Sequence, residues 1–580
     1  ISRVDRSLLR KKFHKKHIEG KEFNTIIIGS GMGSLSCAAM LARMGKKVLV
    51  LEQHPDVAGG GTHQFDLGGY RFDSGLHYTV PWSVPVFALT CLLRPQDVTP
   101  FDLMGEADGT VDNIFLDKSS AGGDTTHFKM LMHEKHLPKL YAMFPNEKEA
   151  IDIYMDISNK AMLFVKLYIA SRLMPKWMQR IYWSFVPPAI IHVASLTAEE
   201  VLPTLTSNKK LIGLLSSMWI DTGARPDQAS FTMTASVFRG ISMEGGCYPS
   251  RGSEEMAIEL ARVINDNGGS IVINAPVEQI LVTREPSLEN RNESVHTAVG
   301  VRMGDKDNTC VYAARVVSGA GFSRTFKNLL DVEVTKTLDL PTELSVPQSA
   351  GFVMVNIGLK ATAEEIGAST SNTWHIPADK SDDIFEPMRA YFAKPLEVGM
   401  DMPAFITFPS CKDKKWEAEH PGRTSCQMLF MAEYDWFEEY TGDKRKIGKD
   451  GACDDHQTKY KELKETWQAK ALEVFFKYFP KGKDHVEFVD ISTPLSAEDY
   501  LNASRGSAVG IDVTPARFVD GKIRDALDCV VTDIQGLYMT GQDTLLCGVT
   551  LAQLAGVITA FRMEGFWVSC GMVLRAVLFT

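Results

Sequence analysis

A β-branched run, Thr25-Ile26-Ile27-Ile28, enters a glycine turn, Gly29-Ser30-Gly31-Met32-Gly33. About twenty residues on, a second apolar run, Lys47-Val48-Leu49-Val50-Leu51, ends on Glu52. Strand, glycine turn, helix, strand and acid in this order constrain the chain more than any other stretch. They form the pattern of a parallel βαβ unit that holds an adenine dinucleotide. Gly29 permits the tight turn, and Gly31 lets the backbone approach a pyrophosphate. The helix expected from Met32 to Met44 aims its free N–H groups and positive dipole end at that pyrophosphate. Ser34 stands at the third glycine position, small but less suited to close helix–strand packing. Glu52, followed by Gln53, is placed to accept hydrogen bonds from a ribose hydroxyl pair.

At 580 residues the chain is too long for one core, so two or more domains are expected. A net charge of −10 argues against a general nucleic-acid binder. The ten cysteines are scattered singly, with no Cys-x-x-Cys and no zinc spacing. Neither a disulfide framework nor a metal site is indicated, and reduced surroundings facing the cytosol fit this usage. No uninterrupted apolar run is long enough for a membrane span. The sequence opens on Ile1 rather than Met, so a leader or anchor is expected to be missing from it. Residues 1–21 form a basic arm: Arg3, Arg6, Arg10, Lys11, Lys12, Lys15, Lys16 and Lys21 face only Asp5 and Glu19. Such an arm is either drawn to anionic lipid or a solvated helix or tail.

Residues 147–215 are helical in pattern. Within them, Ala161 to Leu196 is rich in aliphatic and aromatic side chains, with Lys166, Arg172, Lys176 and Arg180 spaced through it and a break at Pro187-Pro188. Glu254 to Asp266 reads as an amphipathic helix closed by Asn267-Gly268-Gly269. Strands are expected at 270–274, 277–283, 310–318, 351–359 and 536–540, and a final helix at 550–566. Lys412–Gly422 and Thr441–Asp455 are charged and read as surface loops. The expected fold is α/β: a discontinuous Rossmann-like domain with an inserted α+β domain. Its boundaries are set at 22–105, 246–330 and 505–580 for the dinucleotide domain, and 106–245 and 331–504 for the substrate- and membrane-facing domain.

Further motifs narrow the reading. Gly59-Gly60-Gly61 follows the first unit, and Leu537-Tyr538-Met539-Thr540-Gly541-Gln542-Asp543 comes near the end. With the glycine turn and Glu52 they resemble the FAD-binding amine oxidase and phytoene desaturase superfamily. Leu51-Glu52-Gln53-His54, Phe72-Asp73-Ser74-Gly75-Leu76-His77-Tyr78, Tyr248-Pro249-Ser250-Arg251-Gly252, Phe408-Pro409-Ser410-Cys411-Lys412-Asp413, His420-Pro421-Gly422-Arg423-Thr424 and Tyr434-Asp435-Trp436-Phe437 are similar to the all-trans-retinol 13,14-reductase (retinol saturase) family. The resemblance spans residues 22–560 and takes in the related carotenoid isomerases. It departs at Gly61-Thr62, where the family carries a cysteine pair, and at Gly319-Ala320-Gly321, where it carries Asn-Ala-Gly.

The resemblance implies FAD as cofactor. Glu52 would then serve its adenosine half, Gly60, Gly61 and Thr62 would border it, and Val277 would offer backbone groups to the adenine. Gly541 precedes Asp543, which would hold a ribityl hydroxyl. The helix that starts at Thr550 would point its N-terminus at the flavin O2 and N1 edge. The implied reaction saturates a C=C bond of a conjugated polyene, a retinoid or carotenoid, by flavin hydride transfer and protonation. His77 or Tyr78 would give the proton, since imidazole titrates near neutral pH; the alternative for His77 is a structural histidine under the flavin. His63 is a weaker candidate, and Arg251 would position cofactor or substrate. The rival readings are a redox-neutral polyene isomerase, a desaturase, and a non-catalytic flavin-binding subunit of a membrane complex. Partners implied are a lipophilic polyene, a membrane surface of endoplasmic reticulum or plastid met by Ala161–Leu196, and an unidentified electron donor. Outside the first glycine fingerprint no second one indicates a dedicated NAD(P)H domain, though a transient NAD(P)H visit to the flavin is compatible.

Overall fold

The computed structural model describes residues 5–286, 294–441, 455–565, 567–571 and 574. Most of the charged stretch 441–455 lies outside them.

One sheet of eight strands is centred on Phe23–Ile28. That strand pairs in parallel with Val48–Leu51 on one side and Cys310–Ser318 on the other. Ser270–Val272 extends the sheet past Val48–Leu51, and Leu537–Met539 joins Cys310–Ser318, both in parallel. Ser294–Met303 pairs antiparallel with Cys310–Ser318 and with Val277–Pro286. The central strands are buried on both faces, as parallel strands covered by helices must be. Their alternation is legible: Ile27, Val48 and Val50 pack into one core, and Ile26, Ile28, Leu49 and Leu51 into the other. The first core is covered by the helices Met32–Arg43, Glu254–Asp266 and Val549–Glu564.

Two glycines let the first and last of these helices touch. A Cβ on Gly556 would lie 2.3 Å from the Gly33 carbonyl oxygen, and one on Gly33 would lie 2.6 Å from Gly541 Cα. Backbone therefore meets backbone where the last strand turns into the last helix.

A second sheet of seven strands runs in the order Val486–Ser492, Gly351–Leu359, Thr424–Ala432, Ala404–Thr407, Asn372–Pro377, Thr110–Asp117, Thr126–Leu131. Its neighbours are antiparallel except for the parallel pair Asn372–Pro377 and Thr110–Asp117. The helices expected in 147–215 are present: Lys148–Arg172, Lys176–Phe185, Pro188–Ala194, Ala198–Leu205 and Lys209–Ser216, broken at Pro187-Pro188 as the sequence predicts.

Three expectations are corrected. The basic arm is not a free tail: Leu9 is buried, and Arg6 and Arg10 pair with the buried carboxylate of Glu254 at 2.9 and 2.7 Å, while Lys11, Lys12, Lys15, Lys16 and Lys21 stay exposed. A buried carboxylate needs such counter-charges, and the arm brings them. Arg172, in the stretch expected to meet the membrane, is instead buried, bonded to the Tyr168 hydroxyl at 2.6 Å and the Arg524 carbonyl at 2.7 Å. Lys412–Gly422 is not a surface loop at its start. Pro409–Lys412 and Trp416–Glu419 are short helices, and Lys412, Asp413 and Trp416 are buried. Local charge density misleads there because the groups that compensate Lys412 come from distant segments. Among the described residues no helix is long and apolar enough to cross a membrane, and their cysteines are all free.

Candidate active site

The glycine turn forms as its sequence requires. Gly29 sits at φ +84° and donates its N–H to the Leu51 carbonyl at 2.8 Å. Gly31 caps the helix Met32–Arg43, and nothing lies within 4 Å of where its Cβ would be. Gly60, at φ +54°, approaches so closely that its Cβ would lie 2.9 Å from Gly31 Cα. Thr62 Oγ1 closes the second glycine turn on the Gly59 carbonyl at 2.8 Å and touches Met32 Sδ at 3.3 Å. Open space also surrounds Gly61, Gly541 and Gly548. These bare backbone surfaces converge around a helix N-terminus, the setting a pyrophosphate and its flanking groups need.

Glu52 is nearly buried and held rigidly. Its Oε2 accepts from the Ser30 N–H at 2.8 Å and hydroxyl at 2.6 Å, and its Oε1 accepts from the His54 N–H at 2.8 Å. Ser30 Oγ in turn accepts from the Gly59 N–H at 2.9 Å, linking both glycine turns to the acid. Motif spacing did not mark Ser30 and His54 as the groups that hold Glu52. Gln53 and Val277 are half-buried beside this edge of the sheet.

Asp543 is fixed likewise. Its carboxylate accepts from the Phe322 N–H at 2.7 Å and the Ile511 N–H at 2.9 Å. Gly510 must be glycine, because a Cβ there would lie 2.1 Å from Asp543 Oδ1. Buried Arg517, unmarked in the sequence, donates to the carbonyls of Ile511, Gln542 (2.8 Å), Asp543 (3.2 Å) and Leu545 (3.3 Å). Each carboxylate keeps lone pairs for a ligand hydroxyl. The Thr550 side chain is engaged elsewhere, with Ser83 and, at 3.2 Å, Thr79; its place at the helix N-terminus is unaffected.

The departure at Gly319 has a steric reason. A Cβ at 319 would lie 1.9 Å from Ser34 Oγ and 3.0 Å from the Ile28 carbonyl oxygen. With a serine at the third glycine position, a side chain at 319 would have to displace the Ser34 hydroxyl and crowd the Ile28 carbonyl.

Residues 73–83 lead from this cradle to the second sheet. Ser74 Oγ donates to the His63 carbonyl at 2.8 Å, and a Cβ on Gly75 would lie 3.1 Å from the Gly61 carbonyl oxygen. His77 follows, buried, its ring 6.0 Å from that of Phe405 and both its nitrogens without a hydrogen-bond partner. Two orphaned nitrogens beside open glycines are what a polar group of a bound ligand would satisfy. Burial, helped by the Lys412 charge, lowers the His77 pKa to about 3. The expectation that this imidazole titrates near neutral pH is thereby corrected: desolvation holds it neutral. His63, expected as a weaker candidate, bonds the Gly60 carbonyl at 2.7 Å, and burial lowers its pKa to about 4. Arg251 pairs with Glu255 at 3.3 Å.

Tyr78 hydrogen-bonds Asp221 and stacks on Phe405 at 6.1 Å between ring centroids. Around it lies a cluster that sequence spacing could not assemble. Lys412 Nζ donates to the His77 carbonyl at 2.8 Å, Asn372 Oδ1 at 2.9 Å and Thr407 Oγ1 at 2.6 Å. Asp73 accepts from Tyr248 and Ser253, each at 2.7 Å, and from Gln64 at 2.9 Å. Asp112 accepts from Asn372 at 2.9 Å and Trp374 at 3.0 Å. Burial dominates every shift. It raises Asp73, pushes Asp112 up to about 6 and Asp221 up to about 7, and lowers Lys412 to about 8, even though the opposite charges pull the other way.

Elsewhere in the second sheet Asp117, His375 and Asp401 converge within 4.8 Å. Lys477 bonds Asp117, while Tyr478 and Asp401 each bond the His375 ring at 2.7 Å, so protein groups already answer that cluster.

Comparison with known proteins agrees with this geometry. Residues 27–89 match the family described as NAD(P)-binding Rossmann-like domain. The chain is 31% identical to all-trans-retinol 13,14-reductase of Danio rerio over 553 residues, covering 93% of this chain and 85% of that protein. It is 22% identical to the chloroplastic prolycopene isomerase of Arabidopsis thaliana, covering 93% and 82% of the two chains. Among solved structures, cyclohexylamine oxidase from Brevibacterium oxydans shares the fold, with a TM-score of 0.55 at 14% identity over 94% of this chain and 100% of that one. The open glycine cradle, its two fixed carboxylates and the orphaned His77 nitrogens fit FAD. With this cradle and that relationship over nearly the whole chain, the protein is an FAD-dependent oxidoreductase that belongs to the all-trans-retinol 13,14-reductase family.

Proposed function

We propose that the enzyme saturates one carbon–carbon double bond of a conjugated polyene, a retinoid or a related carotenoid. The observation that carries this reading is the course of residues 73–83. They run from the cofactor cradle to the half-buried Tyr78 ring, which is backed by the buried rings of Phe405 and Trp374, 6.1 and 4.7 Å apart in successive pairs. A flat apolar chain suits such an aromatic face, which gives large contact area with little polar demand.

FAD, when bound and reduced, supplies hydride to the polyene. The protein's own residues bind, orient and protonate. Glu52, with Gln53 beside it, would hold the adenosine ribose, Val277 the adenine and Asp543 a ribityl hydroxyl. Gly29, Gly31, Met32, Gly33 and Ser34 would pass the pyrophosphate along the helix start. Gly60, Gly61 and Thr62 would border it, and Gly541 and the turn into Thr550 would receive the flavin edge. His77, neutral, serves as a hydrogen-bonding group, and Tyr78 gives the proton. Residues 22–105, 246–330 and 505–580 are assigned to FAD and 106–245 and 331–504 to substrate.

The membrane surface is met by the helix Lys176–Phe185. It buries Gln179 and Trp183 and turns Trp177, Ile181 and Phe185 outward, with 65%, 53% and 81% of their surface exposed. These sit at i, i+4 and i+8 on one stripe, with Lys176 and Arg180 alongside for lipid headgroups.

The test is a turnover. The yellow holoprotein is reduced anaerobically and given all-trans-retinol or a carotenoid. A product heavier by two hydrogens, with a blue-shifted chromophore, is expected. A new isomer of unchanged mass would make the protein an isomerase, and no product from any polyene, with flavin bound, would leave a non-catalytic flavoprotein.

A further inference from the structure

Tyr78 and Asp221 are surrounded by protein, yet both retain accessible surface. Asp221 sits in the short helix Trp219–Thr222, its neighbours Met218, Trp219 and Ile220 all buried. A lone carboxyl in such a run faces few groups that stabilise its charge. The charged and titratable groups around it are the Tyr78 phenol, which hydrogen-bonds it, Asp112, Lys412 and the Cys547 thiol. Asp73 and His77 complete the cluster from the far side of Lys412. Asp112 opposes ionisation of Asp221, and Lys412 and the phenol favour it.

We propose that Asp221 is the proton reservoir of this active site, recharging Tyr78 Oη after each turnover, and that Lys412 is a positioning residue that sets how firmly Asp221 holds its proton. The proposal rests on the polyene-reductase reading. One carbon of the double bond takes a hydride, and with it both electrons, from the reduced FAD, which is thereby oxidised. The π bond breaks, the Tyr78 O–H breaks, and that proton forms the second new C–H bond. The Asp221 carboxyl O–H then breaks to restore the phenol, and water returns a proton to the carboxylate. His77 takes no part in proton transfer, because it carries no proton beyond its neutral complement near pH 7.

The sign of the pH dependence follows. The competent form is the protonated carboxyl, so turnover falls as pH rises through about 7. Lys412 pulls that value down. Removing its charge must therefore move the falling limb to higher pH, an effect that loss of packing alone does not produce.

The experiment uses full-length holoenzyme in two arms. In the first, Tyr78→Phe and Asp221→Asn each lower kcat on the order of 100-fold, the size expected for losing a general acid. Asp221→Asn also abolishes the limb, and Lys412→Met shifts it upward. In the second arm the oxidised holoprotein is titrated by infrared spectroscopy without substrate. Wild type shows a protonated-carboxyl stretch that disappears as pH rises through about 7. Asp221→Asn lacks it. Tyr78→Phe, which keeps the carboxyl, shifts it, and serves if the asparagine variant fails to fold. No such band in wild type, its persistence in Asp221→Asn, or an unchanged pH limb in that variant overturns the proposal. If no polyene is reduced, the functional reading fails by itself, and the infrared arm still decides whether Asp221 stores a proton.

Discussion

The cofactor cradle and the Lys412 cluster are neighbours joined by residues 73–83, yet they are built by opposite means. The cradle is made of backbone. Gly29, Gly31, Gly33, Gly60, Gly541 and Gly548 give bare N–H groups and close approaches, and the two carboxylates beside them are tied by main-chain donors. The cluster is made of side chains. Lys412, Asp112, Asp221 and the pair Asp73 and Tyr78 come from four separate segments that meet only in the folded chain. The cradle tolerates its two buried carboxylates because main-chain N–H groups donate to each of them. A side-chain site in the same interior shifts its members toward neutrality, and that is where proton chemistry becomes available near pH 7.

The contrast can be broken by four changes, in order of expected size. Lys412→Met leaves the acceptors on His77, Asn372 and Thr407 without their donor and the nearby acids without their cation. Breaking a buried charge in this way costs about 3–5 kcal/mol, read as a drop in urea unfolding free energy with the flavin spectrum as control. An unchanged midpoint would show that the cluster is better hydrated than its burial implies.

The next effect is on pH. The Asp221 pKa is raised by folding, from 3.8 to about 7, so its contribution to stability is full below the lower value and is lost as pH rises through the upper one. Asp221→Asn should remove on the order of 1 kcal/mol per pH unit of slope across that window. Lys412 acts in the opposite sense: its pKa is lowered from 10.5 to about 8, so its share is lost as pH falls through the lower value. Stability measured from pH 4 to pH 9 in both variants separates the two.

The third change probes the cradle. Gly319→Asn must collide with Ser34 and should cost about 1–3 kcal/mol together with weaker FAD retention. Ser34→Gly in the same chain should restore both, and a double-mutant cycle with no coupling would refute the steric pairing. The smallest effect is at the surface. Trp177→Glu with Phe185→Glu should leave stability and flavin content unchanged while reducing flotation with lipid vesicles several-fold, because each removes exposed apolar area from one stripe. Equal flotation would place lipid contact elsewhere.

The same contrast explains what could be read in the sequence. Backbone sites are written locally: glycine spacing, the Ile26–Ile28 run and a terminal acid are enough to place the turn, the first helix and Glu52. The two-sided burial of the central strands follows from their unbroken β-branched character. The pairing of Ser34 with Gly319 appeared only as two separate departures, since nothing in spacing shows that they touch. The cluster was hidden for the same reason. Lys412 sits in a charged stretch that reads as solvent-facing, and Asp221 is a single acid among apolar residues. His77 was marked by its motif, but its charge state depends on burial, which a motif does not state. Arg517 and Ser30 stayed unseen because their work is to bond loop carbonyls and a neighbouring carboxylate, tasks with no fixed spacing.

The most direct test of the account is a single anaerobic turnover of the reduced holoenzyme with all-trans-retinol, read by mass spectrometry of the product. The account predicts a gain of two hydrogens at one double bond together with reoxidised flavin. A product of unchanged mass, or a flavin that stays reduced beside unaltered retinol, would contradict it.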